Sequence, residues 1–310
     1  MKNDFKIVTH SGNFHADDVF AVATLELWLE KNNPGGFFNK VDVEIARTRD
    51  PEIIAQGDFV VDVGGEYDPV KKIFDHHQVG GGGNHPNGIP YSSVGLVWRE
   101  YGEKICESVE IAGMINKKLV QPIDAEDNGV DLYKTIYPEV KPYAMGDLID
   151  VYNFLSKQGK KESLDDNFLQ AVVMAKNILV REIEMAKKEL EERNYVEQIY
   201  QRAEDKRIII LDKEIGDKSW ENVLSKYQDV LYVVRQDGSS QNWKVKAVRD
   251  NLLSFENRKK LPSAWAGKTD EELAQITSVP EAVFCHNQGF VVVAKTKEGA
   301  LKLARLAVEA

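Results

Sequence analysis

The sequence has few of the features that mark secreted and membrane proteins. Its 310 residues include only two cysteines, Cys106 and Cys285, which lie far apart and make no disulfide framework. No apolar run approaches the ~20 residues that a membrane-spanning helix needs, so no membrane partner is expected. The first residues lack the apolar core of a signal peptide. These absences predict a globular protein of the reducing cytoplasm.

A long basic surface is also missing. The net charge of −10 argues against a protein that contacts many phosphates of a duplex. The charge is uneven, because residues 1–195 carry 22 Lys and Arg against 33 Asp and Glu, whereas residues 196–310 carry 18 against 17. Residues 235–260 hold seven basic and three acidic residues. This pattern suits a small anionic substrate, and ordinary surface charge is the alternative.

The first part of the chain alternates short apolar strands with helices. This order is typical of βαβ units and predicts an α/β domain built on a mostly parallel sheet. Residues 130–162 show no regular pattern and are predicted to be irregular. The predicted elements are strands at Phe5–Thr9, Val41–Ala46 and Phe59–Val63, a strand end at Lys71–Phe74, helices at Val19–Leu29 (capped by Asp17 or Asp18), Ser92–Tyr101 and Ile105–Leu119, and a turn-prone loop at Ile123–Gly129 after Pro122.

A long helix from Asp165 to about Arg193 is predicted to lead into a second domain, as the chain length allows. We place the boundary between residues 195 and 196. The first domain then includes the connecting helix, and residues 196–310 form a smaller mixed α/β domain. Its predicted elements are strands at Arg207–Leu211, Val230–Val234, Trp243–Val248, Ala282–Cys285 and Phe290–Val293, and a closing helix at Lys297–Leu306.

Four clusters of Asp and His residues stand at or just after the ends of these elements. A mixed imidazole and carboxylate set suits Mn²⁺, Fe²⁺ or Zn²⁺ and excludes a structural zinc–thiolate site. Each cluster alone has a simpler interpretation as a helix cap, a turn or a core histidine. Their joint occurrence in this order favours a metal site. The clusters are His10 with His15 and Asp17, then Asp62, then Asp75-His76-His77, and finally Asp124 with Asp127.

These clusters, together with the runs Val60-Val61-Asp62-Val63-Gly64-Gly65 and Asp75-His76-His77-Gln78, resemble the DHH phosphoesterase superfamily. Within it, the chain is similar to the melanocyte-proliferating-gene branch of metal-dependent hydrolases, some of which are 3′–5′ RNA exonucleases. The segments Thr9–Gly12, Tyr91–Val97, Ser254–Gly267 and Phe284–Phe290 match that branch, so the resemblance covers nearly the whole chain. It implies a DHH-type catalytic domain followed by a substrate-binding domain.

The resemblance also implies two divalent metal ions, with Mn²⁺ as the expected metal. One ion would take His10, His15 and Asp62, and the other would take Asp17, Asp62, His76 and Asp127, so that Asp62 bridges them. The net charge of these ligands is −3 against +4 from the metals, which would leave the site attractive to phosphate. Asp75 would orient an imidazole, and His77 would face the substrate phosphate. Asp124 is the rival of Asp127 as ligand, and Asp127 is preferred because it directly precedes Asn128-Gly129.

The substrate side of the site is expected in the second domain. Arg258, Lys259 and Lys260 are the candidate phosphate clamp, since arginine offers two parallel donors and lysine a point charge; a solvated basic turn is the alternative. His286 and Gly289 are added by the resemblance. The residues Gly80–Gly83 are interpreted as a mobile lid, with His85 exposed.

The expected activity is hydrolysis of a phosphodiester, with RNA or a short oligonucleotide as substrate. A pyrophosphatase-like or cyclic-dinucleotide activity is a second possibility, since it would use the same metals. A metal-binding protein without turnover is the third. A thiol nucleophile at Cys285 with His286 is rejected because adjacent side chains on a strand point to opposite faces.

Overall fold

The computed structural model describes residues 4–32, 42–156, 164–238, 240–251, 254 and 256–310, with the backbone alone at 154–156. Three predicted features lie wholly or partly outside this range, namely the first residue of the strand at Val41, residues 157–162 of the stretch predicted to be irregular, and the motif residue Phe255. The chain divides into two compact units, Met1–Ala186 and Lys187–Ala310. The sequence-based boundary at 195/196 lies further along the helix that passes from one unit to the other.

Unit 1 is built on a five-stranded sheet with the order β2-β1-β3-β5-β4. The strands are β1 (Asp4–Thr9), β2 (Asp42–Arg47), β3 (Phe59–Val61), β4 (Tyr67–Asp68) and β5 (Ile73–Phe74). Strand β1 pairs in parallel with β2 and β3, β3 pairs in parallel with β5, and only β4 runs antiparallel. The predicted α/β class with a mostly parallel sheet is therefore confirmed.

The helices of unit 1 are α1 (Ala16–Lys31), the short α2 (Pro51–Ile54), α3 (Ser93–Cys106), α4 (Val109–Ile115), α5 (Gln121–Asp127), α6 (Met145–Ser156) and α7 (Leu164–Arg202), with a π-helical turn at Asn116–Val120 between α4 and α5. Helices α1 and α3 pack against each other, and α1 buries both its apolar residues and its first-turn aspartates. The acidic first turn of α1 is therefore directed inwards, towards the carboxyl ends of the strands.

Three sequence-based predictions in unit 1 were wrong. The loop predicted at Ile123–Gly129 is helical, because α5 continues directly from the π-helical turn, in which the Gln121 N–H donates to the Asn116 carbonyl oxygen, and Pro122 directly follows that turn. The stretch predicted to be irregular contains α6. The helix predicted over Ile105–Leu119 is interrupted at Glu107, which adopts φ +56°, and Ser108 caps a new helix by accepting a hydrogen bond from the Ile111 N–H.

Unit 2 is built on a mixed sheet with the order β6-β7-β8-β10-β9, in which only β6 and β7 are parallel. One face packs on α10, and the other packs on α8 and the end of α7. The predicted strands and closing helix are present, whereas α8 and α9 were not predicted. The elements are β6 (Ile208–Leu211), α8 (Asp217–Leu224), β7 (Tyr232–Gln236), β8 (Trp243–Ala247), a 3-10 turn at Ser263–Trp265, α9 (Asp270–Thr277), β9 (Ala282–Cys285), β10 (Val291–Ala294) and α10 (Lys297–Glu309).

Two further features bear on the predictions from composition. Both cysteines, Cys106 and Cys285, are buried and unpaired. Among the helices of the described residues, none combines the length and the apolar character that crossing a membrane requires.

Candidate metal centre

Three adjacent parallel strands of unit 1 end in candidate ligands. His10 follows β1, Asp62 follows β3, and Asp75-His76-His77 follow β5. Because β1, β3 and β5 are neighbours in the sheet and point the same way, their carboxyl ends meet at one edge, where open α/β sheets bind ligands. Asp62 itself adopts φ +54°, a conformation that costs energy for a residue with a side chain and persists only where the surroundings enforce it.

The loop between β1 and α1 brings the next two ligands to the same edge. His15 is the N-cap of α1, and its backbone N–H donates a hydrogen bond to Asp18 Oδ1 at 2.9 Å. The helix thus begins three residues earlier than predicted, and Asp17 lies inside its first turn. The N-terminus of α3 also points here, since the Ser93 N–H donates to Asp17 Oδ2 at 3.3 Å. The N-termini of α1 and α3 therefore each donate to one of two adjacent carboxylates, Asp18 and Asp17.

The structure brings all six predicted ligands together. His10 Nε2 lies 3.3 Å from Asp62 Oδ2, and His76 Nε2 lies 3.4 Å from Asp62 Oδ1 and 3.2 Å from Asp127 Oδ2. Asp62 is thus central, between the two imidazoles. Three groups have ligand atoms within 4.8 Å of one another, namely His10 with His15 and Asp62, Asp62 with His76 and His77, and His15 with Asp17 and Asp127.

The centre has a buried floor and an exposed rim. His10, Asp17 and Asp62 are buried, whereas His15 is exposed and the His77 side chain is 64% exposed. A ligand can therefore approach from the histidine side and reach carboxylates that solvent does not.

Crowding of negative charge perturbs the ionisation of the floor. Burial raises the pKa of Asp17 well above its usual value, and the carboxylates of Asp62, Asp127 and Asp18 raise it further. Burial would lower the pKa of His10, but Asp18 and Asp62 outweigh this effect and raise the pKa to about 10. Burial acts to raise the pKa of Asp62, whereas the imidazoles of His10 and His76 lower it. Positive charge from protons or cations is what this floor requires.

Unpartnered atoms show that the residues fit a divalent cation. Asp17 Oδ1 and His10 Nε2 are buried, and neither makes a hydrogen bond. His10 Nδ1 lies 3.2 Å from the Ser11 carbonyl oxygen, a contact that favours a proton on Nδ1, so that Nε2 is the ring nitrogen a metal would bind in exchange for its proton. The donors are imidazole nitrogens and carboxylate oxygens, the set that suits Mn²⁺, Fe²⁺ or Zn²⁺.

Asp75 does not lie among the ligand atoms but holds two neighbouring segments. Its carboxylate is buried, accepts from the Gly65 N–H at 2.7 Å and from the His77 N–H at 3.1 Å, and lies 2.8 Å from His77 Nδ1. The imidazole that Asp75 contacts is thus His77, and this contact leaves His77 Nε2 as the free ring nitrogen. Gly64, at φ +109°, allows the turn that brings Gly65 to this carboxylate.

The structure separates the two aspartates of α5. Asp124 is fully buried and its carboxylate accepts from the Ser92 N–H at 3.0 Å, the Ser92 hydroxyl at 2.7 Å and the Gly95 N–H at 3.0 Å. Its second oxygen lies 2.6 Å from His85 Nε2. Gly95 has to be glycine, because a Cβ there would lie 2.2 Å from an oxygen of Asp124. Asp124 is therefore saturated with donors, and Asp127 is the α5 carboxylate beside His76.

The prediction that His85 is exposed was wrong. Its ring is buried between Asp124 and the ring of Tyr91, whose centroid lies 4.0 Å away. The residues Gly80–Gly83, predicted to be a mobile lid, contact the same region. The Tyr91 N–H donates to the Gly83 carbonyl oxygen, and Gly82 packs on Leu96. The segment between the histidines and α3 is thus tied to α5.

The predicted phosphate clamp has other partners. The terminal nitrogens of Arg258 donate to the backbone carbonyl oxygens of Leu224, Ser225, Tyr227 and Val230, which follow the end of α8. Lys259 Nζ donates to the Val308 carbonyl oxygen at the end of α10, whereas Lys260 is exposed. Arg258 and Lys259 therefore stabilise chain ends within unit 2, and their predicted role towards phosphate stays a prediction.

The basic stretch 235–260 is also largely neutralised within unit 2. Lys246 pairs with both Asp217 and Glu221 of α8, Arg235 pairs with Asp217, and Lys244 pairs with Asp237. The local excess of positive charge in the sequence is thus balanced by acidic residues from outside the stretch, or, for Asp237, from within it.

His286 and Gly289 lie in the turn between β9 and β10. Gly289 adopts φ +67°, and its carbonyl oxygen accepts from the Leu261 N–H at 2.8 Å. The turn therefore contacts the segment that carries Lys260, so these three predicted substrate residues are neighbours.

Four residues that support the centre were not predicted as site residues. Asp18 Oδ2 lies 3.2 Å from His10 Nε2, and the Ser93 hydroxyl donates to Asp62 Oδ1 at 2.9 Å. Arg47 lies over the rings of Phe14 and Phe168 and donates to the Gly12 carbonyl oxygen, and Asn153 holds both backbone groups of Phe14. Only Asp18, as a possible cap, and Ser93, within a family motif, carried any signal in the sequence.

The contrast between Asp124 and Asp127 yields a first prediction. Asp124→Ala leaves several buried donors unpaired and should lower the free energy of unfolding of the metal-free protein by about 3–5 kcal/mol. Asp127→Ala relieves carboxylate crowding, so it should leave that stability unchanged or higher and weaken Mn²⁺ binding. Urea unfolding in EDTA and calorimetric titration with Mn²⁺ measure the two effects. Wild-type stability of Asp124→Ala combined with lost Mn²⁺ binding would reverse the assignment.

The contacts of Arg258 yield a second prediction. Arg258→Ala leaves partly buried carbonyl oxygens without their charged donor, at a cost of roughly 1.5–3 kcal/mol for each strong bond, and should lower the thermal midpoint of unfolding by about 10 °C or more. Lys260→Ala, which removes an exposed lysine, is the matched control and should unfold like the wild type. If Arg258→Ala unfolds like the wild type and raises KM for an oligonucleotide, this result would favour the predicted phosphate clamp and contradict the structural role of Arg258.

The sequence matches a known protein family over nearly its whole length. The model of the MYG1 exonuclease family, described as an uncharacterised protein family (UPF0160), matches residues 6–308. A MYG1 protein of Dictyostelium discoideum is 34% identical, with 97% of this chain and 96% of the relative covered. A MYG1 protein of Schizosaccharomyces pombe is 31% identical over 100% and 99%, and the human MYG1 exonuclease is 30% identical over 97% and 85%.

A search of solved structures finds RecJ from Thermus thermophilus in complex with Mn²⁺, at a TM-score of 0.27 and 12% identity. The match covers 99% of this chain and 52% of RecJ, so the chain spans about half the length of that structure. The family model, in contrast, extends over nearly all of the sequence and includes every predicted ligand. It confirms the resemblance that the motifs indicated and the predicted enzyme class of metal-dependent hydrolases, and the chain belongs to the MYG1 exonuclease family.

Proposed function

We propose that the protein is a metal-dependent phosphodiesterase that removes nucleotides from the 3′ end of RNA or short oligonucleotides. The observation that supports this most is the convergence of His10, Asp62 and His76 from the ends of three parallel strands beside the buried Asp17, whose Oδ1 has no hydrogen-bond partner. The family contains proteins named exonucleases, and such an enzyme acts on the phosphodiester of a nucleic acid end.

The proposed cofactors are two divalent ions, with Mn²⁺ as the expected metal. His10, His15 and Asp62 would hold one, Asp17, His76 and Asp127 the other, and Asp62 would contact both. Such a pair, when bound, activates a water and stabilises the developing charge on the leaving oxygen. In the proposed reaction, the water oxygen forms a bond to phosphorus and the bond from phosphorus to the 3′ oxygen of the penultimate nucleotide breaks. That 3′ oxygen takes up the proton that the water gives up, and the terminal nucleotide leaves as a 5′-monophosphate.

The chain's own side chains have separate roles in this proposal. Asp75 holds the His77 ring through Nδ1, which positions this exposed ring to contact the substrate phosphate. The Ser93 hydroxyl orients Asp62, and Asp18 holds the first turn of α1 by accepting from the His15 N–H. His286, Gly289 and Lys260 form the proposed contact surface of unit 2, and the cytoplasm stays the proposed compartment.

Hydrolysis of a 5′-labelled pentaribonucleotide with Mn²⁺ tests the proposal. We expect products shortened one nucleotide at a time, and loss of all cleavage in EDTA. Parallel assays with pyrophosphate and with a cyclic dinucleotide distinguish the alternative activities, because both would use the same carboxylates. Full cleavage in the chelator, or no turnover of any phosphate substrate, would contradict the proposal.

Substitutions of two aspartates provide a third prediction. Asp75→Ala removes only the support of His77 and Gly65 and should lower activity by about 10–100-fold. Asp62→Ala removes the central ligand and should cost more than Asp75→Ala. The control is Asp131→Ala, at an exposed position of unit 1, which should act like the wild type. Steady-state kinetics decide the order, and wild-type turnover of Asp62→Ala would refute the shared-ligand assignment.

A further inference from the structure

As far as the described residues of unit 2 show, one face of its sheet is covered over only part of its width. Side chains alternate between the two faces along each strand. Val245, Val292 and Cys285, which lie opposite one another on β8, β10 and β9, point to the face covered by α10. Their neighbours in sequence must therefore point to the other face. That second face is covered by α8 and the end of α7 where β6 and β7 carry Ile209, Leu211 and Val233.

The far end of this second face carries apolar and aromatic groups that remain partly accessible. Phe284 of β9 lies opposite Val293 of β10, and Phe284 is 36% exposed although it is a large hydrophobic residue. Val291 and Val293 are both half-buried. We call the surface formed by Phe284, His286, Val291 and Val293 the open sheet face.

Three rings meet at the edge of the open sheet face. His286 stands two positions after Phe284, and their ring centroids are 6.2 Å apart at an interplanar angle of 85°. Phe290, across the turn, lies 4.2 Å from the His286 ring. The His286 ring is held in place, because its Nδ1 accepts a hydrogen bond from the Gln288 N–H at 3.1 Å. A planar group placed against Phe284 would therefore meet an already ordered set of rings.

Two lysines share the face of Phe284, and a third lies beside the turn between β9 and β10. Lys244 lies opposite Val293 and Lys246 lies opposite Val291 on the same face, and Lys260 is exposed beside the Gly289 turn. Acidic side chains partly neutralise the charge of the first two lysines, since Lys244 pairs with Asp237 and Lys246 with Asp217. This combination of rings with a few cations suits a short single strand, whose bases are free to stack, and not a duplex, whose bases are already stacked.

We propose that the open sheet face binds a base of a single-stranded oligonucleotide by stacking on Phe284, with Lys244 and Lys260 contacting the neighbouring phosphates. This inference rests on the proposed function, because it assumes that the substrate is a nucleic acid end. The inference adds that the protein recognises a base of the substrate, whereas the metal centre of unit 1 needs only its phosphate. The substrate class is therefore single-stranded oligonucleotide, and small phosphate compounds would lack one of the contacts.

The test uses the full-length protein and a fluorescein-labelled pentaribonucleotide. Phe284→Leu removes the ring but keeps an apolar side chain, and it should weaken binding at least fivefold, since stacking of one base contributes roughly 1–3 kcal/mol. Phe284→Tyr keeps the ring and should bind within about twofold of the wild type. The control is Ile276→Ala on α9, an exposed apolar residue outside the open sheet face, which should bind like the wild type. Fluorescence anisotropy in EDTA measures affinity without turnover, and thermal unfolding verifies that each variant is folded.

A second set of oligonucleotides, each with one abasic position, identifies the stacked base. At that position the affinities of wild type and Phe284→Leu should become equal, because neither has a base to stack. Equal affinity of Phe284→Leu and wild type for the intact oligonucleotide would overturn the inference, as would an equal loss for every abasic oligonucleotide. A dimer that Phe284→Leu converts to a monomer, measured by analytical ultracentrifugation, would assign the face to a second copy of the chain and would also overturn it.

Failure of the proposed function has a different signature. If the wild type neither binds nor cleaves any oligonucleotide, the proposed function and this inference both fail. If the wild type binds and cleaves oligonucleotides while Phe284→Leu behaves identically, only the open sheet face is refuted.

Discussion

Three buried carboxylates at one edge of a sheet impose the main physical constraint on this protein. Asp17, Asp18 and Asp62 are each at most 3% exposed, and burial of several negative charges so close together is unfavourable unless cations or donors compensate. The structure compensates in part with the imidazoles of His10 and His76, and in part with the N-termini of α1 and α3. What remains unpaired, including an oxygen of Asp17, is what makes the edge a site for divalent cations.

The same residue type has opposite roles within a few ångströms, and the number of nearby donors decides which. Asp124 accepts three hydrogen bonds from Ser92 and Gly95 and contacts His85, so it has no free lone pair directed at a metal. Asp75 is similarly occupied by Gly65 and His77. Asp62 has one serine donor and otherwise faces imidazoles, so it keeps the capacity to bind cations. Carboxylates that accept hydrogen bonds at all their available positions stabilise the fold, and those that do not are available to bind metal ions.

In unit 2 the basic residues mostly stabilise the fold, although their charge alone suggests a binding surface. Most cations of the stretch 235–260 contact acidic side chains or carbonyl oxygens, and Arg258 is the clearest case. The rings of Phe284, His286 and Phe290 instead occupy a partly uncovered sheet face. A net charge counts residues without regard to their partners, so it identifies a binding surface poorly when the acidic partners are distant in sequence, as Asp217 is from Lys246.

The sequence by itself determined the α/β class, the positions of most strands and the four Asp and His clusters, and the resemblance to a family selected the six candidate ligands among them. It could do so because alternation of apolar residues is a local property, and because Asp and His residues at strand ends are visible without knowing their neighbours. It did not determine the roles of Asp18, His85 and Arg258. His85 lies 39 positions from Asp124, and Arg258 lies 31 positions from Tyr227. A local sequence pattern therefore cannot predict either contact. Only the tertiary structure decided which polar groups meet, since hydrogen bonding and burial depend on distances that arise when the sheet and helices pack.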